Sequence, residues 1–247
     1  MLELLNNRRT IRKYTEKPVD KTLLDKLFKA AAQASNTGNM QVYSVVVTTN
    51  QETKEKLSPA HFNQPMVKQA PVVLTFCADY NRFTNWCNIR QAEPGYANFQ
   101  SFVAAFVDAI IFAQTFAVAA ESEGLGICYL GTATYNAGEI IDTLNLPELV
   151  VPVTTLTVGY PAENPPVTDR LPLDAVVHYG DYKVFQPEEL NALYAEKENS
   201  EFYRKFVAEN NKETLAQVFT DVRYTKKNNE FFSEKYLAVL KRQGFLG

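Results

Sequence analysis

Residues 101–131 read SFVAAFVDAIIFAQTFAVAAESEGLGICYLG. A long apolar run ends in two closely spaced glycines, then a short apolar run, then a third glycine. The order is helix, turn, strand. Ser101–Ala120 approaches the roughly 20 residues that a membrane span requires. Asp108 and Gln114 lie inside it, and no second such stretch exists. A charge at a bilayer centre costs about 2.5 to 3.5 kcal/mol. The run is therefore read as the central helix of a core, roughly 97–123 and apolar nearly all round. Gly124 and Gly126 suit a helix C-terminus, and Ile127–Leu130 a strand that Gly131 closes.

Outward from this stretch, Val42–Thr48 (VYSVVVT), Pro71–Cys77 (PVVLTFC) and Val153–Val158 (VTTLTV) read as buried strands. Asp20 can cap a helix with Leu23, Leu24, Leu27, Phe28 and Ala31 on one face. Further helices are expected at 2–7, 51–57 and 138–144. The region 81–96 reads as irregular, and 161–172 as proline-rich and extended. The residues from Pro187 on are polar and helical in pattern. No internal repeat or linker separates two cores. The expected fold class is α+β: a three-layer α/β/α domain whose sheet is covered by helices on both sides.

Composition narrows the function classes. The 247 residues carry a net charge of −3, so the dense cationic surface of a general nucleic-acid binder is missing. With 46% hydrophobic and 21% charged residues, the chain is neither disordered nor low in complexity. Cys77, Cys87 and Cys128 are odd in number and lack CxxC spacing, which argues against a disulfide framework or zinc cluster and suits a reducing cytoplasm. The N-terminus MLELLNNRRTIRKY places its basic residues after a short apolar stretch, unlike a signal peptide. No HExxH, GxSxG or Walker motif is present. Gly124-Leu125-Gly126 precedes a strand and has Tyr129 where a dinucleotide fingerprint needs glycine. His61 and His178 read as surface or loop histidines.

The strongest local signal is Arg8-Arg9-Thr10-Ile11-Arg12-Lys13. Guanidinium forks, a hydroxyl and backbone N–H groups where a short helix ends suit a compact dianion. The same composition also describes a solvated basic patch.

Arg9-Thr10-Ile11-Arg12-Lys13-Tyr14 resembles the R-S-x-R-x-F opening of the FMN-dependent nitroreductase family. The resemblance continues in order through Asn63-Gln64-Pro65 (N-Q-P), Phe76-Cys77-Ala78-Asp79 (F-C-A-D), Ala120–Gly131 (A-E-S-x-G-L-G-x-x-Y-I-G), Gly159-Tyr160-Pro161-Ala162 (G-x-P-A) and Arg170-Leu171-Pro172. The most similar branch is the NADPH-dependent, oxygen-insensitive nitroreductases and flavin reductases. The resemblance implies a nitroreductase-like fold with a mixed, mainly antiparallel sheet in an intertwined homodimer. It further implies a core at 1–185 and a helical extension at 186–247 that wraps the partner subunit. Arg8, Arg9, Thr10 and Arg12 would hold the FMN phosphate and ribityl chain, with Arg170 returning to the same phosphate. Gln64 and the backbone of Tyr129, Leu130 and Gly131 would contact the isoalloxazine ring, Gly131 because backbone must approach it closely. Asn36 would reach the flavin of the partner subunit. NADPH or NADH would supply hydride for nitroaromatics, quinones or free flavin, with no catalytic side chain and no metal. The alternatives are other redox chemistry on the same flavin, or flavin binding without turnover. The chain departs from the pattern at Thr168, where a lysine is usual, and at Thr132, where a second glycine is usual. The segment Phe202–Phe206 does not align with the branch's NADPH-binding arginine.

Overall fold

Strands rich in Val, Leu, Phe and Thr and buried on both faces need partners on both edges, and this requirement sets the middle of the sheet. The computed structural model of the protein describes residues 1–247. In chain order the elements are α1 (Leu2–Asn6), α2 (Lys21–Ala31), β1 (Tyr43–Thr48), α3 (Gln51–Leu57), α4 (Pro65–Gln69), β2 (Val72–Asp79), α5 (Asn81–Ile89) and α6 (Phe99–Ser122). There follow β3 (Gly126–Leu130), α7 (Thr132–Tyr135), α8 (Ala137–Leu144), β4 (Val150–Gly159), α9 (Pro187–Asn199), α10 (Glu201–Glu209), α11 (Leu215–Val218) and α12 (Lys226–Arg242).

The sheet order is β1-β2-β4-β3, and β2 and β4 are buried at every position. Tyr43 pairs with Ala78, Val72 with Val158, and Gly126 with Gly159. All three pairings are antiparallel, so the parallel component in the expected mixed sheet is absent from this chain. A parallel pair needs a crossover, and no connection between neighbouring strands makes one. The register slips between Phe76 and Cys77, where Thr154 and Pro152 are the partners and Val153 is left over. A bulge there accommodates a proline that has no N–H for the ladder.

Strand alternation divides the core. Val72, Leu74, Phe76 and Ala78 join α2 and α6 on one face, whereas Val73, Cys128 and Leu130 join Leu57, Met66 and Ile140 on the other. Helices therefore cover both faces, as the fold class requires. Asp20 caps α2, accepting from the Thr22 amide, and Leu24, Leu27 and Ala31 are its buried stripe.

Helix α6 starts at Asn98, whose side chain accepts from the Ser101 amide. Ala105, Ala109, Ala113, Ala117 and Ala120 are all buried, so their small side chains let the helix lie close to its neighbours. It ends in a turn where Gly124 adopts φ +79° and the Leu125 amide donates to the Ala120 carbonyl. The helix is long and apolar enough to span a membrane, but it serves as the main core helix here. It is not covered all round: Val107 is 48% exposed and Ile111 37%.

Residues 81–89 form helix α5, where the sequence reads as irregular. Its polar composition (NRFTNWCNI) hides the helix, and only Cys87 in it is buried. Contacts within the chain group it into two compact units, Met1–Pro166 with Phe232–Gly247, and Val167–Phe231. The break falls at 166/167 rather than 185/186 because residues 167–185 group with the helices that follow, while residues 232–247 return to the first unit. In the second unit, Leu215 and Val218 are buried, and Lys197 joins Asp169 and the Tyr203 hydroxyl at 2.5 and 2.9 Å.

Candidate active site

The basic segment is fastened to the ends of β3 and β4 by backbone and by two glycines. The Ile11 amide donates to the Ile127 carbonyl at 3.0 Å, and the Ile11 side chain fills the space a Cβ would take at Gly126, 2.7 Å away. Gly126 is thus a packing position in a strand rather than a helix cap. A Cβ at Gly159 would lie 2.6 Å from Pro71 and 2.9 Å from Tyr14. The Tyr14 hydroxyl donates to the Ile11 carbonyl at 2.7 Å and meets the Thr157 hydroxyl at 2.7 Å. Burial pushes the Tyr14 phenol upward, so it stays a neutral donor. One oxygen of Glu163 accepts from the amides of Arg12 and Lys13 at 2.6 and 3.0 Å. These bonds, the Arg12 amide first, hold its carboxyl below the usual range.

The cations along this segment have different partners. Arg8 forms a two-point ion pair with Glu121, with both contacts at 3.1 Å. Arg9 donates to Asn164 Oδ1 and to the Pro165 carbonyl. A cavity of about 260 Å³ is lined by Arg8, Arg9, Glu121, Glu163, Leu125 and Gly126, among others. Two arginines and two glutamates nearly cancel there, so it is a poor anion site. The Arg12 guanidinium forms no ion pair and faces the Cys128 thiol, which burial pushes up and Arg12 partly pulls back. The Thr10 hydroxyl makes no hydrogen bond within the chain.

Beyond the end of β3, the loop Ser58–Gln64 meets the segment that follows Gly131. His61 is 0% exposed, and its Nδ1 lies 2.8 Å from Thr132 Oγ1. This corrects the expectation of a surface or loop histidine. Desolvation lowers its pKa to about 4, so the imidazole is neutral at pH 7. Phe62 and Asn63 both adopt φ 54°, a left-handed conformation rare for residues with a Cβ. Asn136 Nδ2 donates to the Ala60 carbonyl at 2.8 Å, and the Phe62 ring meets Tyr135 and Phe232 edge-on. Gln64 precedes α4, its side chain neither capping that helix nor hydrogen-bonding elsewhere in the chain.

At the end of β3, Leu130 is buried, the Tyr129 hydroxyl donates to Gln114 at 3.2 Å, and Gly131 is exposed. Nothing lies within 4 Å of a Cβ built on Gly131. The protein itself does not require glycine there; only a molecule approaching from outside would.

Arg8 and Arg9 lie by the start of β3 at Gly126 and Arg12 lies at Cys128, while Tyr129 and Leu130 end the strand at Gly131. Tyr14, Ala60, Met66, Cys128, Leu130 and Ala133 share one apolar cluster beneath them. Asn36 stands apart on the side of the sheet that carries α6, its Nδ2 donating to the Ala34 carbonyl and its Oδ1 accepting from the Gln41 amide, both at 3.3 Å. Thr37 beside it donates its amide and hydroxyl to Asp108 of α6 at 2.9 to 3.0 Å. Arg170 lies in the second unit and donates to the carbonyls of Thr168 and Asp169 and to the Thr168 hydroxyl. Sequence reasoning missed the roles of His61, Asp108 and Glu163. The only trace of the first was Thr132 standing where a glycine was expected.

A family model described as Nitroreductase family matches residues 5–160. The chain belongs to the nitroreductase family. An FMN reductase [NAD(P)H] of Bacillus subtilis is 35% identical over 248 residues, covering 99% of this chain and 97% of that protein. An oxygen-insensitive NADPH nitroreductase of Salmonella typhimurium is 35% identical over 196 residues, 79% of this chain and 80% of its own. A crystal structure of a Bacteroides fragilis protein designated an oxidoreductase superposes with a TM-score of 0.98 at 58% identity, covering 99% of this chain and 100% of that one. In this nitroreductase the Thr132 side chain is accommodated because a buried histidine accepts or donates its hydroxyl's hydrogen bond.

Proposed function

We propose that this nitroreductase is a cytoplasmic homodimer that binds FMN, takes hydride from NADPH or NADH, and reduces small electron-poor acceptors such as nitroaromatics, quinones or free flavin. One observation carries the reading. The Thr10 hydroxyl and the Gln64 side chain make no hydrogen bond within the chain, the Arg12 guanidinium forms no ion pair and meets only the Cys128 thiol, and nothing fills the space beside Gly131. A cation and polar side chains without carboxylate or carbonyl partners suit a polar, anionic cofactor.

Arg12 and Thr10 would bind the phosphate, by a charge-assisted fork and a hydroxyl. Arg8 and Arg9, held by Glu121, Asn164 and Pro165, would shape the loop that carries them. Gln64 offers both a donor and an acceptor to the edge of a flavin ring, and Gly131 lets backbone approach its plane. When bound, FMN supplies the hydride chemistry, and the protein binds and orients it. His61 is neutral and buried, which fits a site that needs no acid–base side chain.

The uncovered side of α6 supports a dimer. Val107 and Ile111 are exposed on either side of Asp108, which pins the turn bearing Asn36. A second copy seated on this face would meet that turn, so Asn36 is assigned to the partner's flavin. In the helical extension 186–247, Phe202 and Tyr224 are 71% and 57% exposed, and this extension is assigned to embracing the partner. All three cysteines are free and buried, which suits a reducing compartment.

The test is FMN titration of the purified protein, followed by anaerobic addition of NADH or NADPH. Bound FMN that bleaches with either donor is the expected result. Arg12→Ala should weaken FMN binding at least tenfold in a folded protein, roughly one charge-assisted contact. A wild-type protein that takes up no FMN overturns the reading. Bound FMN that neither nucleotide reduces leaves a flavin-binding protein without turnover.

A further inference from the structure

We propose that His61 and Thr132 form a positioning pair that sets the spacing between the two loops holding the flavin ring. The inference rests on the FMN reading above and goes beyond it. Thr132 directly follows Gly131, and His61 lies three residues before Gln64. The 2.8 Å contact between Nδ1 and Oγ1 therefore ties one side of the cradle to the other across 71 residues of sequence.

Stability alone does not account for this imidazole. It is fully buried, yet its Nε2 has no hydrogen-bond partner. Such a group costs more to bury than a leucine of similar volume. It is retained beside Phe62 and Asn63, two consecutive left-handed residues whose conformation persists only if their surroundings hold it. The Asn136–Ala60 bond fixes the base of this loop, and the Phe62–Tyr135–Phe232 rings fix its tip. The His61–Thr132 bond is the side-chain contact that reaches Thr132, the residue adjoining Gly131; the Thr132 carbonyl also accepts from the Asn136 amide at 3.3 Å. Neither side chain touches the ring in this assignment; both act through the backbone of Gly131 and Gln64.

The experiment is a double-mutant cycle on FMN affinity, read by quenching of flavin fluorescence in the wild type, His61→Leu, Thr132→Val and the double variant. Each single change should weaken binding by about tenfold, the effect of one buried hydrogen bond. The double variant should be no weaker than the worse single one. The visible circular dichroism of bound FMN should change in both single variants and return in Thr132→Ser, which restores the hydroxyl. The melting temperature of the FMN-free protein separates positioning from simple destabilisation. Should His61→Leu fail to fold, the isosteric Thr132→Val and its Ser rescue decide the matter alone. Additive losses in the double variant, or unchanged affinity and dichroism, overturn the pairing while leaving FMN binding intact. A wild type that binds no FMN overturns the reading beneath it as well.

Discussion

His61 makes acid stability a local property of this protein. The unfolded chain binds a proton at His61 below about pH 6.5, whereas the folded chain does so only below about pH 4. The unfolded state therefore holds more protons in this window, and stability falls as pH falls through it. The slope is about 1.4 kcal/mol per pH unit. Urea unfolding at pH 7 and pH 4.5 should show the wild type losing about 2 to 3 kcal/mol more than His61→Asn; parallel losses would refute the assignment. Two glycines make a contrasting pair at the same scale. Gly126→Ala drives a Cβ to within 2.7 Å of Ile11 and should cost about 1 to 3 kcal/mol, with a lower melting temperature. Gly131→Ala meets only open space, so the FMN-free protein should keep its stability within about 0.5 kcal/mol. Its FMN affinity should nevertheless fall severalfold, because the added methyl points where the ring must sit.

Among the elements, α6 links core, turn and surface. Its alanine stripe lies in the core against α2 and the sheet, and Asp108 in the same helix is 2% exposed with Thr37 as its partner. Asp108→Ala should cost about 1 to 3 kcal/mol, mostly by freeing the turn at 36–39. Hydrogen exchange should speed at the Thr37 amide with little change in β2 and β4; uniform acceleration would show that Asp108 supports the whole core. The elements also show what sequence pattern reveals. Helix α2 was legible because its cap and its apolar spacing agree. Helix α5 was not, since it buries a single side chain and so lacks an apolar stripe. The glycines at 124 and 126 looked alike in sequence, yet one ends a helix with a positive φ and the other makes room for Ile11.

At the scale of the whole molecule, the uncovered face of α6 gives the proposed dimer its test. Val107→Arg with Ile111→Asp should shift sedimentation from dimer to monomer. FMN affinity should fall more than tenfold with it if, as proposed, Asn36 comes from the partner. A variant that stays dimeric would place the interface elsewhere. By itself the sequence determined the α+β class, the strands, the capped helices and the ordered motifs of a nitroreductase, because these rest on periodicity and on neighbours close along the chain. Tertiary structure alone decided which polar groups pair and which remain free for a ligand. Arg8 meets Glu121 across 113 residues, and His61 meets Thr132 across 71. Such pairings depend on where folding brings two side chains together, and that leaves no period in the sequence to read.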